Sequence, residues 1–363
     1  MERIVFHIDF DYFYAQCEEI RSPELKTKPV AVCVYSDRGG DSGAIATANY
    51  TARKYGVKSA MPISFAKKRL VGRPDAVFLP TDFDYYSDVS ERAMKIISEF
   101  ADVFEYVGKD EAYLDVTQKT DGDYTVASHL AQQIKNKVRD EVKLGCSVGV
   151  SPNKLVSKIA SDFKKPDGLT VVPPDRVELF LEPLKIRDIP GIGKKTEEKF
   201  AEMKLEKIGD LKKLDVFSLN QQFGRKGGAF IYNAARGIDE EPVRPRAPNI
   251  QYSKIVTLKK DSHDIEFLTE NLLELCKEVH GIILSKKLMF KSVGIQFVQS
   301  DLSNKTKSKM LRNPTSNLEM LERTAKILLQ EALADQIIDV RRLGVKVSEL
   351  SEVKGQSSID SYF

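Results

Sequence analysis

Carboxylates end two separate apolar stretches of this chain. Arg3-Ile4-Val5-Phe6-His7-Ile8-Asp9 reads as a strand that stops at an acid, and Asp110-Glu111 stands between the short apolar runs Val103–Val107 and Ala112–Val116, which read as a strand pair. Strands that stop this way can bring three carboxylates to one sheet edge. Like charges a few ångströms apart oppose joint ionisation, so such an edge calls for a counter-charge. Hard oxygen ligands of this kind suit Mg²⁺. Acids also sit at strand ends as solvated turn residues. For Asp110 alone the two readings balance, and the surrounding sequence decides between them.

The chain has 363 residues, more than one typical core, which predicts two to four domains. With 42% hydrophobic and 30% charged residues it reads as a soluble folded protein. No apolar run approaches the ~20 residues of a membrane span, and no signal-peptide pattern precedes the first strand. Cys17, Cys33, Cys146 and Cys276 lack CxxC spacing, which fits reduced thiols in a cytoplasmic protein. Four scattered histidines argue against a zinc site. Net charge is only +3, so a nucleic-acid face requires charge segregation within the molecule.

Along the chain, residues 1–20 read as a strand and a helix, followed by a strand at Pro29–Tyr35. Ser42–Gly56, Ala-rich and stopped by glycine, predicts a helix. Helical pattern returns at Tyr85–Phe100, near Ser128–Glu141 and near Pro152–Asp162, with a strand at Cys146–Val150. A small helical unit runs to about Gly237. Asp239–Pro248 holds three prolines and reads as an extended linker. Residues 250–347 then give a βαββαβ order, a ferredoxin-like unit. The Ser-rich segment from Ser351 reads as a tail that is disordered when unbound.

Three motifs occur in order: His7-Ile8-Asp9-Phe10-Asp11-Tyr12-Phe13-Tyr14, Ser42-Gly43-Ala44-Ile45-Ala46-Thr47-Ala48-Asn49-Tyr50-Thr51-Ala52-Arg53, and Lys109-Asp110-Glu111-Ala112-Tyr113-Leu114-Asp115. Together they resemble the Y-family DNA polymerases, most closely the lesion-bypass DinB branch, over residues 1 to about 350. The resemblance implies an α/β and α+β right-hand fold. It divides the chain into palm (1–20 and 78–165), fingers (21–77), helix-hairpin-helix thumb (166–237), linker (238–248), βαββαβ little finger (249–350) and tail (351–363). It implies a DNA-directed DNA polymerase that adds dNTPs to a primer 3′-end without proofreading, with two Mg²⁺ ions about 4 Å apart. Asp9, Asp110, Glu111 and the Phe10 carbonyl would be metal ligands, with Glu111 nearest the primer hydroxyl.

The same resemblance gives Tyr12, Phe13, Thr47, Tyr50, Arg53 and Lys165 to the nucleotide and makes Tyr14 the ring that excludes a 2′-hydroxyl. Thr47, Tyr50 and Arg53 recur every third residue, as on one helix face, where hydroxyls and a guanidinium can grip phosphate. By the alignment Gly43, Ala44 and Ala46 lie over the nascent base pair, and their small side chains would check its shape weakly, making synthesis error-prone. Asp11 and Asp115 do not match ligand positions and read as structural. One departure stands out. The family usually carries Ser-x-Asp-Glu, whereas this chain has Gly108-Lys109-Asp110-Glu111: the serine hydroxyl is missing at Gly108, and a cation adjoins a metal ligand, where it can compete electrostatically with the metal.

Asp188-Ile189-Pro190-Gly191-Ile192-Gly193-Lys194-Lys195 looks like a helix-hairpin-helix, in which Gly191 and Gly193 let backbone N–H groups reach a phosphate and Lys194 and Lys195 add charge. Phe223–Gly228 reads as a degenerate second copy. Residues 244–350 carry 18 Lys and Arg against 13 Asp and Glu. The basic residues, among them Lys254, Lys305, Lys307, Lys309, Arg341, Arg342 and Lys346, fall mostly on strands and the acids on helices. This predicts a basic sheet face open to primer–template DNA. The C-terminal Gln356-Ser357-Ser358-Ile359-Asp360-Ser361-Tyr362-Phe363 fits a sliding-clamp motif, with Ile359, Tyr362 and Phe363 as anchor and Gln356 as hydrogen-bonding partner. A monomer tethered to a clamp, with no membrane partner, is the expectation. Two other classes share parts of the pattern: a nucleotide cyclase, hinted at by Gly39-Gly40-Asp41, and a catalytically silent DNA-binding scaffold. Primer extension separates all three.

Overall fold

The structure is a computed structural model that describes residues 1–334 and 338–352. It contains two compact units, one of residues 1–34 and 44–246, the other of residues 35–43 and 247 onward.

The first unit is built on a five-stranded sheet of β1 (Val5–Phe10), β5 (Val103–Tyr106), β6 (Glu111–Asp115), β7 (Cys146–Ser151) and β8 (Leu169–Val171), in the order β5-β6-β1-β7-β8. β1 alternates strictly. Phe6, Ile8 and Phe10 enter a core with α1 (Phe13–Arg21), α4 (Phe83–Ser98) and α5 (Tyr124–Val142), while Val5, His7 and Asp9 face the other way. That second face is covered by α6 (Lys154–Phe163), whose close approach depends on Gly149. A Cβ at Gly149 would lie 1.9 Å from the Ser157 carbonyl oxygen and 2.5 Å from the Ser161 nitrogen, so only glycine lets this helix and strand meet.

A three-stranded sheet orders β3-β2-β4 from β2 (Val30–Tyr35), β3 (Gly43–Ala48) and β4 (Val77–Pro80), with α2 (Tyr50–Arg53) and α3 (Ile63–Arg69) beside it. The helix expected over Ser42–Gly56 is therefore a strand followed by one helical turn. Tertiary bonding overrides the helix propensity of alanine here. The Ile45 N–H donates to the Met61 carbonyl and the Ala60 N–H to the Ile45 carbonyl, both at 2.8 Å, while Asn49 Oδ1 caps the following turn at Ala52 N–H and also accepts from Val30 N–H.

α7 (Val177–Leu181), α8 (Lys194–Glu202), α9 (Ile208–Leu211) and α10 (Val216–Ala234) form a separate helical cluster within this unit. Residues 239–246 are extended but anchored: Asp239 accepts from Leu155 N–H at 2.9 Å, Glu105 accepts from Arg244 N–H at 3.0 Å, and Val243 is buried with Val5 and Tyr113.

The second unit follows the βαββαβ order with β9 (Gln251–Ser262), α11 (Ile265–Ser285), β10 (Leu288–Gln299), β11 (Asn304–Thr315), α12 (Leu318–Leu333) and β12 (Val340–Glu352). Its sheet order is β11-β10-β12-β9. All four cysteines are buried, and burial pushes the thiols of Cys17, Cys146 and Cys276 up to about 12. No helix among the described residues is long and apolar enough to cross a membrane.

Candidate active site

Antiparallel register brings the acids together. Asp9 is the cross-strand partner of Glu111, and the Phe10 N–H donates to the Asp110 carbonyl at 2.8 Å, so β1 and the β5–β6 turn present all three from one end of the sheet. Each flanking carboxylate has its own lysine. Lys165 Nζ lies 2.7 Å from Asp9 and 2.8 Å from Asp162, and Lys158 Nζ pairs closely with Glu111. His7 Nε2 is 3.2 Å from Glu111, and its Nδ1 is 2.7 Å from Ser161 Oγ on α6. The His7 and Lys158 contacts, opposing burial, hold the Glu111 carboxyl at about 2. Burial raises Asp9 despite Lys165, and burial together with the Glu111 charge raises Asp110. Among the described residues no trio of acidic, histidine or cysteine side chains is gathered closely enough to hold a metal as the side chains stand. The donor set nevertheless fits divalent cations: hard oxygens at one sheet end that already attract two ammonium groups.

His7, Lys158 and Ser161 were missed by the sequence reading. A signal existed, because His7 lies two residues before Asp9 on the same strand face, and Lys158 and Ser161 are one turn apart on a helix.

The loop carrying Lys165 is fixed from beneath. Buried Lys135 donates to the carbonyls of Cys146, Asp167 and Gly168 at 2.9, 2.6 and 2.9 Å. Asp11 accepts from Ser147 Oγ and from Asp167 N–H, each at 2.8 Å. Asp115 accepts from Thr117 N–H at 3.0 Å.

Tyr12 holds a left-handed conformation (φ 39°), its hydroxyl donating to Glu19 and its ring meeting Tyr50 edge-on at 5.2 Å. Phe13 is buried in the core. Tyr50 and Arg53 share α2, but Thr47 lies on β3, so the common helix face expected for the three does not form. Arg53 Nε donates to the Ala48 carbonyl at 2.8 Å, with its guanidinium 4.9 Å from the Tyr50 ring centre. The Tyr50 hydroxyl, raised by burial and by Asp11, also responds to Lys165 and Asp9, which puts α2 in electrostatic reach of the acids. Tyr14 stacks on Tyr86 at 4.7 Å, and burial and the Asp110 charge raise its hydroxyl. Lys109 is turned aside: its ammonium meets Ser87 Oγ and the Phe83 carbonyl, not the carboxylates.

Residues 8–162 match the impB/mucB/samB family model and residues 250–361 the C-terminal domain of that family, while residues 187–239 match the DNA polymerase-iota thumb domain. The chain is 75% identical to DNA polymerase IV of Nitrosopumilus maritimus, over 99% of both chains. It is 38% identical to DNA polymerase IV of Saccharolobus solfataricus, again over 99% of both. The chain belongs to the Y-family, DinB-type DNA polymerases. Solved relatives agree. A Y-family chimera of Dbh and Dpo4 superposes with TM-score 0.89 at 34% identity, covering 96% of this chain and 100% of that one. A DinB-family error-prone DNA polymerase from Sulfolobus solfataricus gives 0.64 at 32%, covering 95% and 98%. This chain is thus a DNA-directed DNA polymerase with palm, fingers, helix-hairpin-helix thumb and little finger.

In the polymerase thumb Gly191 takes φ +89°, and Gly193 caps α8 with open space where a Cβ would be, leaving the first N–H groups of the helix accessible. Among the described residues Lys194 makes an i,i+4 pair with Glu198 at 3.6 Å. Gly224, at φ +74°, breaks α10 where the degenerate second copy was expected.

The little finger departs from the sequence expectation. Leu343, Val345 and Val347 are buried in the core with the helices, so Arg342 and Lys346 point to the opposite face of β12. Lys305, Lys307 and Lys309, however, are register partners of the core residues Phe297, Ile295 and Val293 and share their helix-covered side. Lys254 likewise pairs with Glu278 of α11 at 3.1 Å, and Arg341 lies 3.8 Å from Asp261. Period-two alternation, invisible to a count of charges by element, divides the basic residues between both faces. The clamp-motif residues Gln356, Ile359, Tyr362 and Phe363 lie outside the described residues.

Proposed function

We propose that this polymerase performs error-prone, low-processivity lesion-bypass synthesis by two-metal nucleotidyl transfer. The observation that carries the reading is the Asp9–Glu111 register with Asp110 tied to Phe10 and lysines standing against the acids. Asp9, Asp110, Glu111 and the Phe10 carbonyl would hold the cations, which for this reading are Mg²⁺. When bound, they stabilise charge on the attacking and leaving oxygens of the displacement.

The protein's own groups do the rest. Glu111, kept ionised by His7 and Lys158, stands ready as a charged cation ligand nearest the primer hydroxyl, whose deprotonation its site favours. Lys165, released from Asp9, grips the triphosphate together with Tyr50, Arg53 and Thr47. Tyr14 blocks a 2′-hydroxyl. Residues 1–20 and 78–165 serve as palm, 21–77 as fingers, 166–237 as thumb and 249–350 as little finger. Gly191, Gly193, Lys194, Lys195 and Arg342 contact primer–template phosphates. A monomer working in the cytoplasm and tethered through its last eight residues to a sliding clamp completes the reading, and tethering raises the effective concentration at the primer end.

Primer extension with Asp110→Ala and Glu111→Ala tests it: extension should fall by about 10³-fold or more while primer–template affinity persists. Undiminished extension by either variant rejects the metal assignment. Removing residues 356–363 should abolish stimulation by the cognate clamp and leave unassisted extension intact; full stimulation of the truncated chain rejects the tether.

A further inference from the structure

Lys109, the cation next to the metal acids, has a task elsewhere. Its ammonium meets Ser87 Oγ and, at 3.2 Å, the carbonyl of Phe83, while Ser87 Oγ itself donates to that carbonyl at 2.6 Å. From the other side, Ser90 Oγ donates to the Lys109 carbonyl at 2.5 Å. Side chain and main chain of one residue thus fasten the β5–β6 turn to the first two turns of α4. A cation at a helix N-terminal turn is opposed by the helix dipole, so these direct hydrogen bonds must hold it there.

The start of α4, so fastened, carries the rings around Tyr14. Tyr86 stacks on Tyr14 with 19° between planes, and Phe83 meets Tyr14 edge-on at 5.9 Å. Tyr86 is fully buried, and its hydroxyl donates to Glu18 at 2.5 Å. Phe83 differs. It is the first residue of α4 and 46% exposed, so packing alone does not fix it, and its carbonyl takes the Ser87 hydroxyl and the Lys109 ammonium as side-chain donors.

We propose that Lys109 is a positioning residue for sugar selection, holding Phe83 and the start of α4 so that Tyr14 keeps the place where it excludes a ribonucleotide. This rests on the reading of Tyr14 as the sugar-discriminating ring. Lys109 acts through that wall, not on the reacting atoms.

The experiment compares catalytic efficiencies for a dNTP and its rNTP in single-nucleotide extension by the full chain and by the variants Tyr14→Ala, Lys109→Met, Ser87→Ala and Lys109→Met/Ser87→Ala. Tyr14→Ala should lower the dNTP-to-rNTP ratio by about 100-fold, and Lys109→Met and Ser87→Ala each by about fivefold, through small misplacement of the gate. The double variant should lose no more than either single one, because both remove one junction. Ser87→Ala leaves the charge in place and removes only a hydroxyl on a solvated helix end, so it answers even if Lys109→Met folds poorly. In Lys109→Cys, alkylation with bromoethylamine rebuilds an ammonium of lysine length and should restore the ratio.

If Tyr14→Ala lowers the ratio and neither Lys109→Met nor Ser87→Ala does, the inference is overturned while the gate reading stands. If dNTP and rNTP efficiencies fall in parallel, the inference is overturned and Lys109 serves the fold or the local charge alone. If Tyr14→Ala itself leaves the ratio unchanged, the gate reading fails and takes the inference with it.

Discussion

The palm sheet and the little-finger sheet use charge in opposite ways. In the palm, a few ionisable groups sit at one sheet end, half-buried, each held by named partners: Glu111 by His7 and Lys158, Asp9 by Lys165. In the little finger the charges are many, exposed and spread along strands, and one of them, Lys254, is already paired with a helix carboxylate, Glu278. The first arrangement depends on the position of single atoms. The second depends on which face of a strand a residue occupies. A palm mutation should therefore act on the chemical step, and a little-finger mutation on salt-dependent affinity.

The strongest test of that contrast is Gly149→Ala. Its Cβ would press into the α6 backbone, so α6 must move away from β7, costing about 3 kcal/mol of stability and displacing Lys158 and Ser161. Urea unfolding and primer extension should both register it. Lys158→Met should come next, lowering single-turnover extension by about 10- to 100-fold, the scale seen when a ligand's supporting partner is lost. Its affinity for primer–template should stay near wild type. An unchanged rate would detach Lys158 from the site.

Lys135→Met removes a donor from each of three carbonyls and loosens the loop that carries Lys165. The half-saturating dNTP concentration should rise by about fivefold with a smaller change in maximal rate. Arg342→Ala should weaken DNA binding about two- to threefold and reduce the slope of log affinity against log salt by about one, with the extension rate at saturating DNA unchanged. Lys254→Ala, already paired with Glu278, should leave that slope unaltered within error. A Lys254 effect equal to that of Arg342 would break the distinction between the two faces.

Much of the palm is legible in sequence because its signals are local. Strand alternation places Asp9 with His7, and two apolar runs bracket Asp110-Glu111. The little-finger element order is legible for the same reason. What stays hidden depends on contacts distant in sequence. The Ala-rich stretch at 43–48 is a strand because it joins β2 in the sheet and because residues 60–61 and 30 bond to it and to its cap. The pairing of Glu111 with Lys158 needs an α6 approach that a single glycine permits. The faces of Lys305, Lys307 and Lys309 require knowing the β10–β11 register, and a one-residue slip would reverse them. The cation of Lys109 looks threatening to a metal when only its neighbour Asp110 is known, and the structure sends it to α4 instead.

The burial of all four cysteines has a chemical consequence for an enzyme that meets damaged templates. Thiols react with oxidants and electrophiles as thiolates, and those of Cys17, Cys146 and Cys276 stay protonated far above neutral pH and out of solvent. Peroxide or alkylating agents that modify a template base find little to attack among these sulfurs. Synthesis across the lesion can continue in the same chemical conditions that produced it.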